Sequence, residues 1–117
     1  MAIPDFEKIM LSMLKCLKDQ KEYSMDEIEA TLAQVFGLSN EEKTRQKPSG
    51  GESLFHNRLH WSKFYLKKAG LIDGKPRGKF WITERGKSVL KENPSNINTE
   101  YLMKFQEFSD FLGRKRP

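Results

Sequence analysis

Apolar residues recur at helical spacing in the first third of the chain. Phe6, Ile9, Met10, Met13, Leu14 and Leu17 fall at i, i+3, i+4, i+7, i+8 and i+11, which is one face of a 3.6-residue repeat. A core-packed helix is therefore expected from Pro4 to about Asp19. Pro4 suits the first turn, where its missing N–H is harmless, and Asp5 and Glu7 suit the positive end of the helix dipole. Lys21-Glu22-Tyr23 leaves room for at most a short extended piece. Ser24 and Glu27 form a capping box that opens a second helix, with Ile28, Leu32, Val35 and Phe36 as its buried stripe and Gly37 as a left-handed stop. Ser39 and Glu42 repeat the capping pattern for one more short turn.

The pattern is densest over residues 53–83. A helix over 53–69 carries Leu54, Phe55, Leu59, Trp61, Tyr65, Leu66 and Ala69 on one broad side. His56, His60, Lys63 and Lys67 line the opposite side, flanked by Asn57 and Phe64. Arg58 falls on the apolar side and is expected to reach a carboxylate, a backbone carbonyl or a phosphate. Gly70 stops this helix. Leu71-Ile72 then starts a strand, residues 73–78 turn it, and residues 79–83 return. Alternation puts Phe80 and Ile82 on one face of the hairpin and Lys79 and Trp81 on the other. Thr83 caps a helix to about Glu92 with Val89 and Leu90 buried, and Asn93-Pro94-Ser95-Asn96 breaks the chain. Thr99 opens a last helix with Leu102, Phe105 and either Phe108 or Leu112 as its stripe. That helix needs a partner: its own domain, a second copy or a further domain. The expected layout is a domain over 1–92, a linker over 93–98, and a helix with a basic tail over 99–117.

Charge singles out the same central stretch. Residues 53–87 hold 9 Lys and Arg against 2 Asp and Glu, whereas residues 1–52 hold 7 against 10. Positive charge gathered on a helix and an adjoining hairpin is the footprint of a polyanion partner. At 117 residues one domain is expected. The apolar runs fall far short of the ~20 residues a membrane helix needs, no secretory pattern is present, and Cys16 is alone, so a cytoplasmic protein without internal disulfides is expected.

Three helices followed by a two-stranded wing give a mainly α fold with a small β-hairpin, the winged variant of helix-turn-helix. Its partner would be double-stranded DNA, with no membrane involved. The helix before the wing supplies Ser53, His56, Asn57, His60, Lys63 and Lys67 as candidate contacts, because Asn pairs with adenine and Lys with guanine in the major groove. The wing adds Lys75, Arg77 and Lys79 as phosphate clamps, and the basic loop over 45–51 adds Arg45 and Lys47. Trp81, outward beside Lys79, is a candidate for contact with a modified base, or else packs on the tail helix or a neighbouring protomer.

Several short motifs carry a resemblance. They are Ile3-Pro4-Asp5, Lys21-Glu22-Tyr23-Ser24, Pro48-Ser49-Gly50, and F-x-N-R-x-x-W at Phe55, Asn57, Arg58 and Trp61. Tyr65 to Ile72 and Arg77 to Gly86 continue the series. Together they resemble the N-terminal domain of Mrr-like restriction endonucleases, and the segment from Tyr101 to Phe111 is similar to the one that leads into that family's nuclease domain. The resemblance implies a DNA-binding domain that targets a PD-(D/E)XK nuclease to modified foreign DNA. Mg²⁺ would belong to that nuclease, which this chain lacks. Pro4-Asp5, Glu41-Glu42-Lys43 and Asp73-Gly74-Lys75 match fragments of its motif but fall on a helix start, a helical turn and a wing tip rather than on adjacent strands. No catalytic residue and no cofactor is therefore assigned to this chain. His56 and His60 have the i, i+4 spacing of a Zn²⁺ pair, but no Cys or carboxylate is seen in the sequence to join them, so no metal ligand is assigned either. Two other functions fit the pattern: a stand-alone regulator that dimerises through residues 99–112, and a protein–protein adaptor.

Overall fold

The computed structural model describes residues 3–75 and 78–114. In chain order it contains α1 (Phe6–Cys16), α2 (Met25–Val35), α3 (Asn40–Thr44), α4 (Leu54–Lys68), β1 (Ile72–Gly74), β2 (Phe80–Ile82), α5 (Glu84–Lys91), α6 (Thr99–Leu102) and α7 (Gln106–Arg114). The fold is mainly α with one small antiparallel sheet, in winged-helix order. The expected capping boxes are both present, with the Ser24 and Ser39 hydroxyls accepting from the backbone N–H of Glu27 and Glu42. Each satisfies two backbone donors that would otherwise be orphaned at a helix start.

Helix α1 starts two residues later than its sequence suggests, at Phe6 rather than Pro4. Asp5 is its N-cap, accepting from Lys8 N at 2.9 Å, so Pro4 lies outside the helix. It also ends early, at Cys16, because Asp19 is engaged elsewhere: its carboxylate accepts from Lys21 N and from the Tyr23 hydroxyl. In α2, Ile28 and Leu32 are buried as expected, but Val35 is 60% exposed. The chain reverses at Gly37 (φ 63°), Leu38 N donates back to Ala33 O, and buried Ala33 with half-buried Leu38 fills that end of the interface instead.

The hairpin pairs Ile72 with Ile82, Asp73 with Trp81 and Gly74 with Phe80. Tyr23 adds a one-residue third rung, exchanging two backbone hydrogen bonds with Phe80 at 3.0 and 2.9 Å. The wing is thus tied to the α1–α2 corner. Thr83 caps α5 as expected; Val89 is buried and Leu90 half-buried.

The last helix differs from its expectation. Asn98, not Thr99, caps a single turn, and a second helix follows after a break at Met103–Phe105. Leu102 and Phe108 are both fully buried. Six residues apart, they would point to different faces of one continuous helix, and the break lets both reach the core. Thr99 N and Oγ1 donate to Glu7 on α1, Arg85 pairs with Glu107 at 2.9 Å, and Phe108 meets the Tyr65 ring at 5.3 Å. The apolar stripe of this segment packs on its own chain.

Candidate nucleic-acid interface

Helix α4 is defined at both ends by local chemistry. Ser53 Oγ accepts from His56 N, and Gly70 (φ 79°) closes the far end in the left-handed region. Its buried face is Phe55, Leu59, Ser62, Leu66 and Ala69. Ser62 donates to the Phe6 carbonyl at 2.6 Å, and Arg58 Nη1 donates to the carbonyls of Ile3 and Pro4 at 2.9 and 3.1 Å. Arg58 thereby meets the carbonyl option of its expectation.

The small Ser62 lets α1 approach closely, which centres the buried face on Ser62 rather than on its neighbour. Trp61, expected inside, is therefore 48% exposed. With Phe64 (37% exposed), His60 and Lys68 it forms the outer ridge of the helix. Trp61, Phe64 and Tyr65 make edge-on ring contacts that continue to Phe111 on α7, and Lys68 Nζ lies over the Phe64 and Phe111 rings.

The histidine–lysine stripe faces α2 and the wing. His56 is held by Glu29 of α2, and His60 stands against His56. Lys63 Nζ sits 4.6 Å from the centre of the buried Phe80 ring, and burial, then the neighbouring Lys67, lower its proton affinity. Lys67 Nζ donates to Gly74 O at 3.0 Å, so it braces the wing with its charge unneutralised. Asn57 donates to Glu52 at 3.0 Å, and Lys47 lies 3.6 Å from the same carboxylate oxygen. Arg45 pairs with Glu41 at 2.7 Å. Lys75 and Lys79 are exposed on the wing; Arg77 lies outside the described residues. Trp81 is half-buried opposite Asp73, with neither a ring partner nor a hydrogen-bond acceptor among the described residues.

The arrangement sorts the cations into two groups. Arg45, Lys47, Arg85, Lys87 and Lys104 have carboxylate partners. Among the described residues, Lys63, Lys67, Lys68, Lys75 and Lys79 on α4 and the wing have none within salt-bridge reach, and neither do Lys8, Lys15, Lys18, Lys21, Lys43 and Lys91 elsewhere. What sets α4 and the wing apart is their one-signed charge: residues 53–82 hold 7 Lys and Arg against Asp73 alone. Residues 6–92 match the Mrr N-terminal domain, most of the chain's length. The chain belongs to that family. It is also similar to the type IV methyl-directed restriction enzyme EcoKMrr of Escherichia coli (strain K12), with 26% identity over 101 residues. Those residues cover 86% of this chain and 33% of that enzyme, so the chain corresponds to an N-terminal domain and leaves the catalytic domain of such an enzyme outside it. No solved structure matches.

For this Mrr N-terminal domain, sequence reasoning missed Trp61 and Lys68 as outward residues and Glu29 and Glu52 as partners of the candidate contacts. Ser62 was the available signal for the first two, because a small polar residue amid apolar ones marks close helix approach. Glu29 sits 27 residues from His56, and nothing local announces that pairing. No helix among the described residues is long and apolar enough to cross a membrane.

Proposed function

We propose that this domain binds duplex DNA through α4 and the wing, and so directs an Mrr-type restriction enzyme to foreign, modified DNA. The observation that carries the reading is the one-signed charge of α4 and the wing, where five lysines without carboxylate partners among the described residues stand in a stretch, residues 53–82, whose sequence holds Asp73 as its one acid. A protein surface that gathers cations without neutralising them is completed by phosphates, whose contact releases condensed counterions. Asn57 and His60 stand beside those lysines and supply the hydrogen-bonding groups for base edges. Lys67 holds the wing while keeping its charge, which sets helix and wing as one surface. The apolar stripe of residues 99–112 is turned to the domain's own core, which weakens the case for a homodimer built on it.

The finer part of the reading concerns the modified base. Trp81 offers an indole face and an N–H free of any acceptor among the described residues, beside the basic wing. A methyl group on a base edge adds apolar surface that an indole covers well. The test is a binding titration of this chain on plain and methylated duplexes across a salt series. Log K is expected to fall steeply with log salt, and Trp81→Ala is expected to weaken methylated duplexes more than plain ones. Salt-independent binding would overturn the DNA reading; equal loss on both duplexes would overturn the role of Trp81 alone.

A further inference from the structure

Glu29, His56 and His60 form a contact chain, and the DNA reading, which uses only His60, leaves its other two members unexplained. His56 Nδ1 lies 2.5 Å from Glu29 Oε1, and His56 Nε2 lies 2.9 Å from His60 Nε2, one turn further along α4. The Glu29 carboxylate accepts, so His56 carries a proton on Nδ1. With His56 neutral, its Nε2 lone pair points at His60, whose Nε2 supplies the proton between the rings. His60 Nδ1 has no partner among the described residues. Moving the His60 proton to Nδ1 breaks only the bond between the two rings and leaves a lone pair on each Nε2, which ring rotations about the side-chain bonds would aim at a common point. Two nitrogens at 2.0–2.1 Å from a cation, with an angle of 90–110° between them, stand about 2.9–3.3 Å apart. The two rings already have nearly that separation.

We propose that His56 and His60 chelate a divalent transition cation of the Zn²⁺, Ni²⁺ or Cu²⁺ class, with Glu29 orienting His56 from behind. Imidazole nitrogens suit these metals. A carboxylate on the far ring nitrogen fixes the tautomer and raises ligand basicity. Burial, then the neighbouring His56, lowers the proton affinity of His60, which favours the neutral ring that a metal requires. The surrounding charge is mixed. Glu52 Oε2 lies 3.9 Å from His56 Nε2, and Lys63 on α4 and Lys47 beside Glu52 oppose it. Among the described residues no group of three or more His, Cys, Asp or Glu is arranged to hold a metal. The site is accordingly an open two-nitrogen chelate on the exposed side of α4, its other positions left to water or to an outside ligand.

The experiment is titration of the untagged chain with Zn²⁺ by calorimetry, and with Cu²⁺ by visible absorption, both without DNA. Its outcome is thus separate from that of the DNA reading. One equivalent of metal is expected, with selective changes in the His56 and His60 NMR signals. His60→Ala, at an exposed position, is expected to abolish that equivalent while leaving the circular dichroism unchanged. Glu29→Gln is expected to weaken binding about 10–100-fold. The proposal fails if no single equivalent binds, if His60→Ala binds equally well, or if the two histidines respond to pH but not to metal.

Discussion

The two sides of α4 use polar residues in opposite ways. Toward α1, Arg58 and Ser62 spend their donors on the backbone carbonyls of Ile3, Pro4 and Phe6, inside a packed interface. Toward the wing, Lys63 and Lys67 touch a ring and a carbonyl but meet no carboxylate within salt-bridge reach among the described residues. The first side closes its electrostatics within the chain; the second leaves charge for something else. A polar residue on a helix is therefore informative only when its partners are known, and polarity alone separates neither case.

That contrast is open to measurement. The largest effect is expected at the inward side. Phe108→Ala removes a fully buried ring that contacts Tyr65, and should lower unfolding free energy by about 3–5 kcal/mol in a denaturant titration. Affinity per folded molecule should hardly change. A near-neutral result would show that α7 does not belong to this core. Next, Arg58→Met leaves the Ile3 and Pro4 carbonyls without their charged donor and should cost about 1.5–3 kcal/mol of stability. It should not alter the salt dependence of binding. On the wing side the pattern should invert: Lys63→Ala with Lys67→Ala should make the slope of log K against log salt shallower by about 2 units while shifting stability little. Large unfolding in that double variant would erase the distinction between the two sides.

The smallest effect concerns acid. The hydrogen bonds at the start of α2, first from Ser24 N, hold the Glu27 carboxyl below its ordinary value. The folded state thus binds this proton less readily than the unfolded chain. The stabilisation is full above about pH 4.5 and is lost as pH falls through the lower, folded value. Glu27→Gln keeps the capping geometry but does not titrate, so it should flatten this part of the acid limb without moving the neutral plateau.

Much of the fold was legible because its signals are local. Ser24 with Glu27, Ser39 with Glu42, Thr83, Gly37 and Gly70 each mark a helix end through chemistry within a few residues. Trp61 and Val35 were misplaced because periodicity gives a direction around a helix but not what packs there. Ser62 decided the first and the reversal at Gly37 the second. The break at Met103–Phe105 carries no Gly or Pro. It follows from where Leu102 and Phe108 must go, which is a tertiary demand. The candidate interface was legible as charge along α4 and the wing, whereas Glu29 reaches it through long-range packing that no spacing rule contains. Glu52, four residues before His56, was within reach of a local reading but lies just ahead of the helix start.

The two backbone hydrogen bonds between Tyr23 and Phe80 have a consequence for how such a domain diversifies. They use no side-chain atom, so the rung that anchors the wing is indifferent to which residues form its tip. Substitutions from Lys75 to Lys79 can then accumulate, or be grafted from a relative, without tilting the hairpin against α4. Variation at the wing tip is in this way uncoupled from variation in scaffold geometry; on the proposed DNA reading it would tune phosphate contact while leaving the placement of Asn57, His60 and Trp81 unchanged.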